Sequence, residues 1–145
     1  MSFVEKMLSS IGENYYIFIN AAVALVFMFL SFIIANQTKK HFSTSTGPLK
    51  TSVYYTLDIS YTLFITLISI FPLLGMFGTV KALLDLDMSA ETSALQNNFF
   101  SALTSTAWGI IFAVAFKVLN SFVQPFIENQ IAKAKEEIKK QIESK

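Results

Sequence analysis

Cysteine is absent from the 145 residues, which excludes disulfides, thiolate chemistry and cysteine-based metal sites. Histidine occurs once, as His41, and has no metal-ligand partner at a useful spacing, so no metal site is expected. No Ser/His/Asp set, glycine-rich phosphate loop, HExxH sequence or paired-carboxylate site is present, so there are no catalytic residues to name and no enzyme is expected. Proline is scarce, with three residues, and so is charge. Charged side chains make up 14% of the chain, where a soluble domain would carry roughly a quarter. The net charge of +1 gives no reason to invoke nucleic acid. What is present is hydrophobic: 53% of residues, fifteen of them Phe, with a mean hydropathy of +0.52. The few charges gather at both ends and in two short connections, the distribution of a polytopic membrane protein.

A bilayer core of about 30 Å needs about 20 apolar residues in helical form. Three segments qualify: 15–35, interrupted only by Asn20 and Ser31, then 57–84, and 99–123. The second would rise ~42 Å as a helix, so it is expected to tilt, kink or extend beyond the hydrocarbon. The predicted fold is an all-α membrane protein with three transmembrane helices. The connection 36–56 carries Lys39, Lys40, His41 and Lys50 with no acid, whereas the loop 85–98 carries Asp85, Asp87 and Glu91 with no Lys. The tail 124–145 holds Lys133, Lys135, Lys139, Lys140 and Lys145 among acids. The positive-inside rule then places the connection and the C-terminus in the cytoplasm, and the N-terminus and acidic loop outside. Residues 1–14 carry Glu5, Lys6 and Glu13 instead of a basic signal-peptide region. Their apolar positions, Phe3, Val4, Met7, Leu8 and Ile11, suit either a short amphipathic helix on the outer leaflet or a frayed terminus. In the tail, Ile127, Ile131, Ala134, Ile138 and Ile142 form one apolar face, which predicts a cytoplasmic amphipathic helix over 124–145, packed against copies of itself or solvated.

Polar residues within the spans are costly and are read one by one. Asp58, Thr62, Thr66 and Ser69 recur at intervals of four, four and three, one stripe at about 100° per residue. They form either a polar path inward from Asp58 or ordinary i−4 bonds that bind helices together. Pro72 removes a helix hydrogen bond, so a kink is expected, and Gly75 and Gly78 leave one flank bare for close helix approach. On the third span Ala102, Thr106, Gly109, Ala113, Lys117 and Asn120 fall within about 80° of one another, a small and polar face that must meet protein or water. Counted from the outer ends, Thr79 and Thr106 stand at nearly the same depth on antiparallel helices. Lys117 either snorkels to the interface or adds positive charge to an inner cavity. Lys81 can snorkel outward or pair with Asp85, and Trp108 is expected to pack.

Two of these segments resemble a known family. Pro72-Leu73-Leu74-Gly75-Met76-Phe77-Gly78-Thr79-Val80 is similar to the P-x-x-G-x-x-G-T-V segment of TolQ and ExbB proteins. Ala102-Leu103-Thr104-Ser105-Thr106-Ala107-Trp108-Gly109 resembles their A-L-x-x-T-A-x-G segment. The resemblance is to the MotA/TolQ/ExbB proton channel family and covers mainly residues 71–120. It implies a bacterial inner-membrane homopentamer surrounding a dimer of single-span chains of the TolR/ExbD/MotB type. Each partner would carry an Asp that takes up and releases protons, with Thr79 and Thr106 facing it. No cofactor is implied beyond the coupling ion, H⁺ or Na⁺. The chain departs from the pattern at Lys81, where a Trp usually follows, at Phe100-Ser101, near which relatives carry Glu, and at Ala115, close to an expected Pro. Its first connection is also short where relatives insert a large helical domain, so it resembles a reduced member.

Three functions fit these residues. The leading one is a proton-conducting stator subunit of a rotary motor, with entry beside Thr79 and Thr106 and exit along Asp58 and its hydroxyl stripe. The others are a non-conducting oligomeric membrane scaffold and a small self-assembling pore.

Overall fold

The computed structural model describes residues 3–44, 51–85 and 92–143, and no strand occurs among them. The elements are α1 (Phe3–Ser9), α2 (Tyr15–Thr44), α3 (Thr51–Leu84) and α4 (Thr92–Glu143). The last three are long and apolar enough to cross a membrane, as the three hydrophobic runs predict.

Each long helix outruns its apolar core. The connection expected over 36–56 is helical over 36–44 and 51–56, so His41 stands in the last turn of α2 and not in a loop. Lys50, Asp87, Glu91 and Lys145 lie outside the described residues. The third span and the tail, expected as two segments, are one helix through Pro125. Proline's fixed φ is helical, and its cost in a helix interior is about 3 kcal/mol, chiefly one lost hydrogen bond and a ring clash. Past it, the full burial of Ile127 and Ala134 holds the helix on course.

The chain divides into two compact units. The first comprises Met1–Ala22 and Leu67–Phe116. Its core is aromatic. Phe71 is fully buried, stacked on Phe112 at 5.5 Å and on Phe116 at 5.2 Å, and Phe18 meets Trp108 and Phe112 edge-on. Such pairs contribute about 0.5–1.5 kcal/mol each beyond their area. Trp108 also donates its indole N–H to the Met7 carbonyl at 3.3 Å, which fastens α1 to α4. Accordingly Met7 is buried while Val4, Leu8 and Ile11 face outward. Asn20, the polar interruption of the first span, donates to the Leu67 carbonyl at 3.2 Å. That carbonyl lies in the turn preceding Pro72, whose missing N–H leaves the carbonyl of Ile68 without its helical donor.

The second unit comprises Val23–Thr66 and Lys117–Lys145. Along α2, Ala24, Ser31, Ala35 and Thr38 are buried at spacings of seven, four and three, a narrow seam of small side chains. Ser31 and Thr38 satisfy their hydroxyls on the Phe27 and Ile34 carbonyls of their own helix. Larger groups meet elsewhere in this unit. Phe32 meets Phe126 at 5.7 Å, the Lys39 ammonium lies 5.8 Å from the Phe126 ring centre, and Leu57 and Phe64 are fully buried. The tail's apolar face is largely covered within one chain: Ile127 and Ala134 are buried, Ile131 and Ile138 half-buried, and Ile142 is 71% exposed.

Candidate functional site

Two glycines bring α3 and α4 into backbone contact. A Cβ on Gly109 would lie 2.7 Å from the Phe71 carbonyl oxygen and 2.9 Å from the Gly75 Cα. A Cβ on Gly75 would lie 3.1 Å from both the Ser105 carbonyl oxygen and the Thr106 Cα. Real Cβ atoms do not approach backbone that closely, so these helices meet here only because both positions lack side chains. Ala102 and Ala113, buried on the same face of α4, extend the small-residue surface.

That proximity joins two short side chains across the crossing. Thr79 Oγ1 and Thr106 Oγ1 lie 2.5 Å apart. Thr79 Oγ1 is also 3.1 Å from the carbonyls of Gly75, on its own helix, and Ala102, on the other. Thr106 Oγ1 is 3.4 Å from the Gly75 carbonyl. Each hydroxyl brings one hydrogen and two accepting lone pairs. One hydrogen can bridge the pair and the other can go to a carbonyl, so most of the hydroxyl lone pairs stay open to an outside donor. Both threonines are half-buried, hence reachable.

The other predicted positions fall elsewhere. Gly78 is buried against Tyr16 and Ser105. Thr62, Thr66 and Ser69 lie on the exposed surface of α3, and Thr66 bonds the Thr62 carbonyl at 2.8 Å, the local i−4 bond. Asp58 is half-buried in the second unit. Lys117 is exposed, and Asn120 accepts from the Tyr61 hydroxyl at 3.3 Å while donating to Gln124 at 3.1 Å. Lys81 is exposed at the end of α3, where the Asp85 N–H bonds its carbonyl at 3.1 Å.

Several polar residues in the first unit escaped the sequence reading. The Tyr16 hydroxyl lies 2.9 Å from Ser105 Oγ and donates to Asn14 Oδ1 at 3.3 Å. Ser101 donates to the Glu13 carboxylate at 2.5 Å. These contacts join residues 89 and 88 positions apart, beyond the reach of any periodicity.

Three membrane-length helices and a hydroxyl pair at a glycine crossing define an integral membrane protein with a polar interior contact. The model of the MotA/TolQ/ExbB proton channel family matches residues 50–136, more than half of the chain, and with it both threonines and both crossing glycines. No curated protein and no solved structure gives a match. The chain belongs to the MotA/TolQ/ExbB proton channel family.

Proposed function

We propose that this chain is the proton-channel and stator subunit of an ion-driven rotary motor. In this reading it sits in a bacterial inner membrane, N-terminus outside and C-terminus in the cytoplasm, as a homopentamer around a dimer of single-span TolR/ExbD/MotB-like chains. The observation that carries it is the Thr79–Thr106 pair, half-buried at a crossing that lies inside the family match. A partner carboxyl brought to this pair meets groups suited to both its protonation states. Ionised, it accepts a threonine hydrogen, a charged hydrogen bond contributing about 1.5–3 kcal/mol. Protonated, it donates to an open threonine lone pair. The crossing therefore tolerates a carboxyl that loads and unloads a proton, which is what coupling to movement of the partner requires. The exposed stripe of Thr62, Thr66 and Ser69, with Asp58, is available to line the exit once neighbouring chains cover it, with the exposed Lys117 and the half-buried Asn120 near the middle of α4. No cofactor enters beyond the coupled ion. Since threonine and carbonyl oxygens also suit Na⁺, the assay is run with each ion.

The test is ion flux into vesicles holding this chain with its single-span partner, read by a pH-sensitive dye under an imposed gradient. Wild type is expected to conduct, and Thr79→Ala/Thr106→Ala to conduct at least about tenfold less, the equivalent of losing one charged hydrogen bond. An intact complex without flux would support the scaffold instead. Leakage from the chain reconstituted alone would support the self-assembling pore.

A further inference from the structure

Within the first unit, a cavity of about 240 Å³ opens among the turn between α1 and α2, the end of α3 and the first turns of α4. Its two ends differ chemically. At one, the Glu13 carboxylate accepts from Ser101, with Lys81, Asp85, Asn97 and Asn98 also in the lining. Two carboxylates against one ammonium leave that lining one negative charge, which favours a cation. At the other end Ser105 and Tyr16 share a hydrogen bond, and Tyr16 passes its own hydrogen to Asn14. Ser105 and Asn14 are each 2% exposed. Gly78 makes room for this pair: a Cβ there would fall 1.8 Å from Ser105 Oγ and 2.0 Å from the Tyr16 hydroxyl. Gly78 precedes Thr79, and Ser105 precedes Thr106. Ser105 therefore stands one residue from Thr106 on α4, and the Gly78 against which the Tyr16–Ser105 pair packs stands one residue from Thr79 on α3.

We infer that this cavity is the loading vestibule of the proton path, with Glu13 the group that collects the proton and Tyr16 and Ser105 the relay toward Thr79 and Thr106. The inference rests on the proton-channel reading. A carboxylate serving only to tie the α1–α2 turn to α4 would need its hydrogen bond and nothing more. Here Glu13 is exposed and borders a second cavity of about 200 Å³ as well. Ser101 and Ser105 lie one turn apart on α4, a rise of about 6 Å. The space between is large enough for several waters at about 30 Å³ each. The step balances without a co-reactant. Glu13 takes a proton from a hydronium ion of the bulk, which is left as water, and returns to the carboxylate by giving it to a cavity water. Each hydroxyl then accepts one proton and releases its own, ending unchanged, and the last proton passes to the partner carboxylate at the threonine pair.

The test uses the full chain with its single-span partner in vesicles of phosphatidylethanolamine and phosphatidylglycerol, flux being read by dye quenching. Glu13→Gln keeps the acceptor for Ser101 but cannot carry the proton. Its flux is expected to fall at least about tenfold, the loss of a proton carrier that water replaces in part. Glu13→Asp is expected to restore most of it. Because the chain has no cysteine, Ser105→Cys supplies a unique thiol. A membrane-impermeant cationic methanethiosulfonate should modify it, the labelling being read by mass. Wild-type flux in Glu13→Gln would overturn the vestibule, as would an unreactive Ser105→Cys in vesicles where Asn97→Cys reacts. Both outcomes leave the channel reading standing, whereas a wild-type complex that carries no flux removes that reading and this path with it.

Discussion

The two units differ in how α3 meets α4, although each long helix contributes a stretch to both and both units bury aromatic rings. In the first, beside the Phe71–Phe112–Phe116 stack, α3 and α4 touch backbone to backbone through Gly75 and Gly109, and hydroxyls fill what the missing side chains leave. In the second, longer side chains join them: Tyr61 bonds Asn120, with Phe64 and Ile127 buried. Bulky contacts are tolerant, because a side chain can turn in its rotamer wells to accept a change. A backbone contact has no such freedom. The first unit therefore gives up adaptability for a fixed position of Thr79 against Thr106, a property that proton transfer needs and anchoring does not.

Glycine substitutions sharpen this contrast most. In Gly109→Ala the new methyl would meet the Phe71 carbonyl at 2.7 Å and the Gly75 Cα at 2.9 Å, both backbone. The helices must part, at about 1–3 kcal/mol, and the melting temperature in detergent is expected to fall sharply. Gly78→Ala meets the Ser105 and Tyr16 hydroxyls, which can turn away, and the Ser105 Cβ at 2.8 Å, which moves only with its backbone. It should lose less stability than Gly109→Ala while losing the Tyr16–Ser105 contact. Gly12→Ala has nothing within 4 Å and should change neither. Equal melting of all three would mean that the crossing is not a backbone contact.

Much of this architecture is legible in the chain as written, and the boundary is physical. Apolar run length finds the three membrane-crossing helices because the bilayer imposes the length. Counting inward from the ends of two antiparallel spans pairs Thr79 with Thr106, since rise per residue is constant. Helix ends are less legible. Residues 36–44 and 51–56 are polar enough to read as connection, and their helicity is supported by burial of Thr38 and Leu57, a tertiary effect. The tail reads as a helix by its apolar face, though not as a continuation of α4 through Pro125, and of that face Ile127 and Ala134 are already buried within the chain. Glu13, Tyr16 and Ser105 were illegible for another reason. A turn residue, a tyrosine in the first turn of α2 and a serine in a small-residue face acquire meaning only when α1 folds back onto α4. Glu13 and Tyr16 also precede the family match, so the resemblance could not supply them.

A middle-sized effect bears on the second unit. Asn120→Leu removes the acceptor of the Tyr61 hydroxyl and the donor to Gln124. A hydrogen bond of this kind contributes about 0.5–1.5 kcal/mol, so a modest drop in melting temperature is expected. Flux should stay near wild type, in contrast to Thr79→Ala/Thr106→Ala. A loss of flux equal to that of the threonine variant, with stability intact, would break the comparison, because a packing contact of the second unit would then govern proton flow as directly as the threonine pair does.

The smallest effect is expected at the end of α4. Lys140 lies 2.9 Å from Glu136, one turn away, and both side chains stand in solvent. The hydrogen bond from Lys140, and then its charge, hold the Glu136 carboxyl below its usual range, while the reciprocal bond raises Lys140. The signs follow from linkage. For Glu136 the stabilisation is present above the ordinary carboxylate range and is lost as pH falls through its lowered folded value. For Lys140 it is present below the ordinary lysine range and is lost as pH rises through its raised value. Between these limits the pair is intact, but an exposed pair is screened by salt and held by two flexible chains. Glu136→Gln should thus leave melting at neutral pH and physiological salt unchanged. A clear drop that salt does not abolish would show that the tail's polar face meets something besides water. The division between a unit that positions and a unit that packs would then need a third surface, one that recruits.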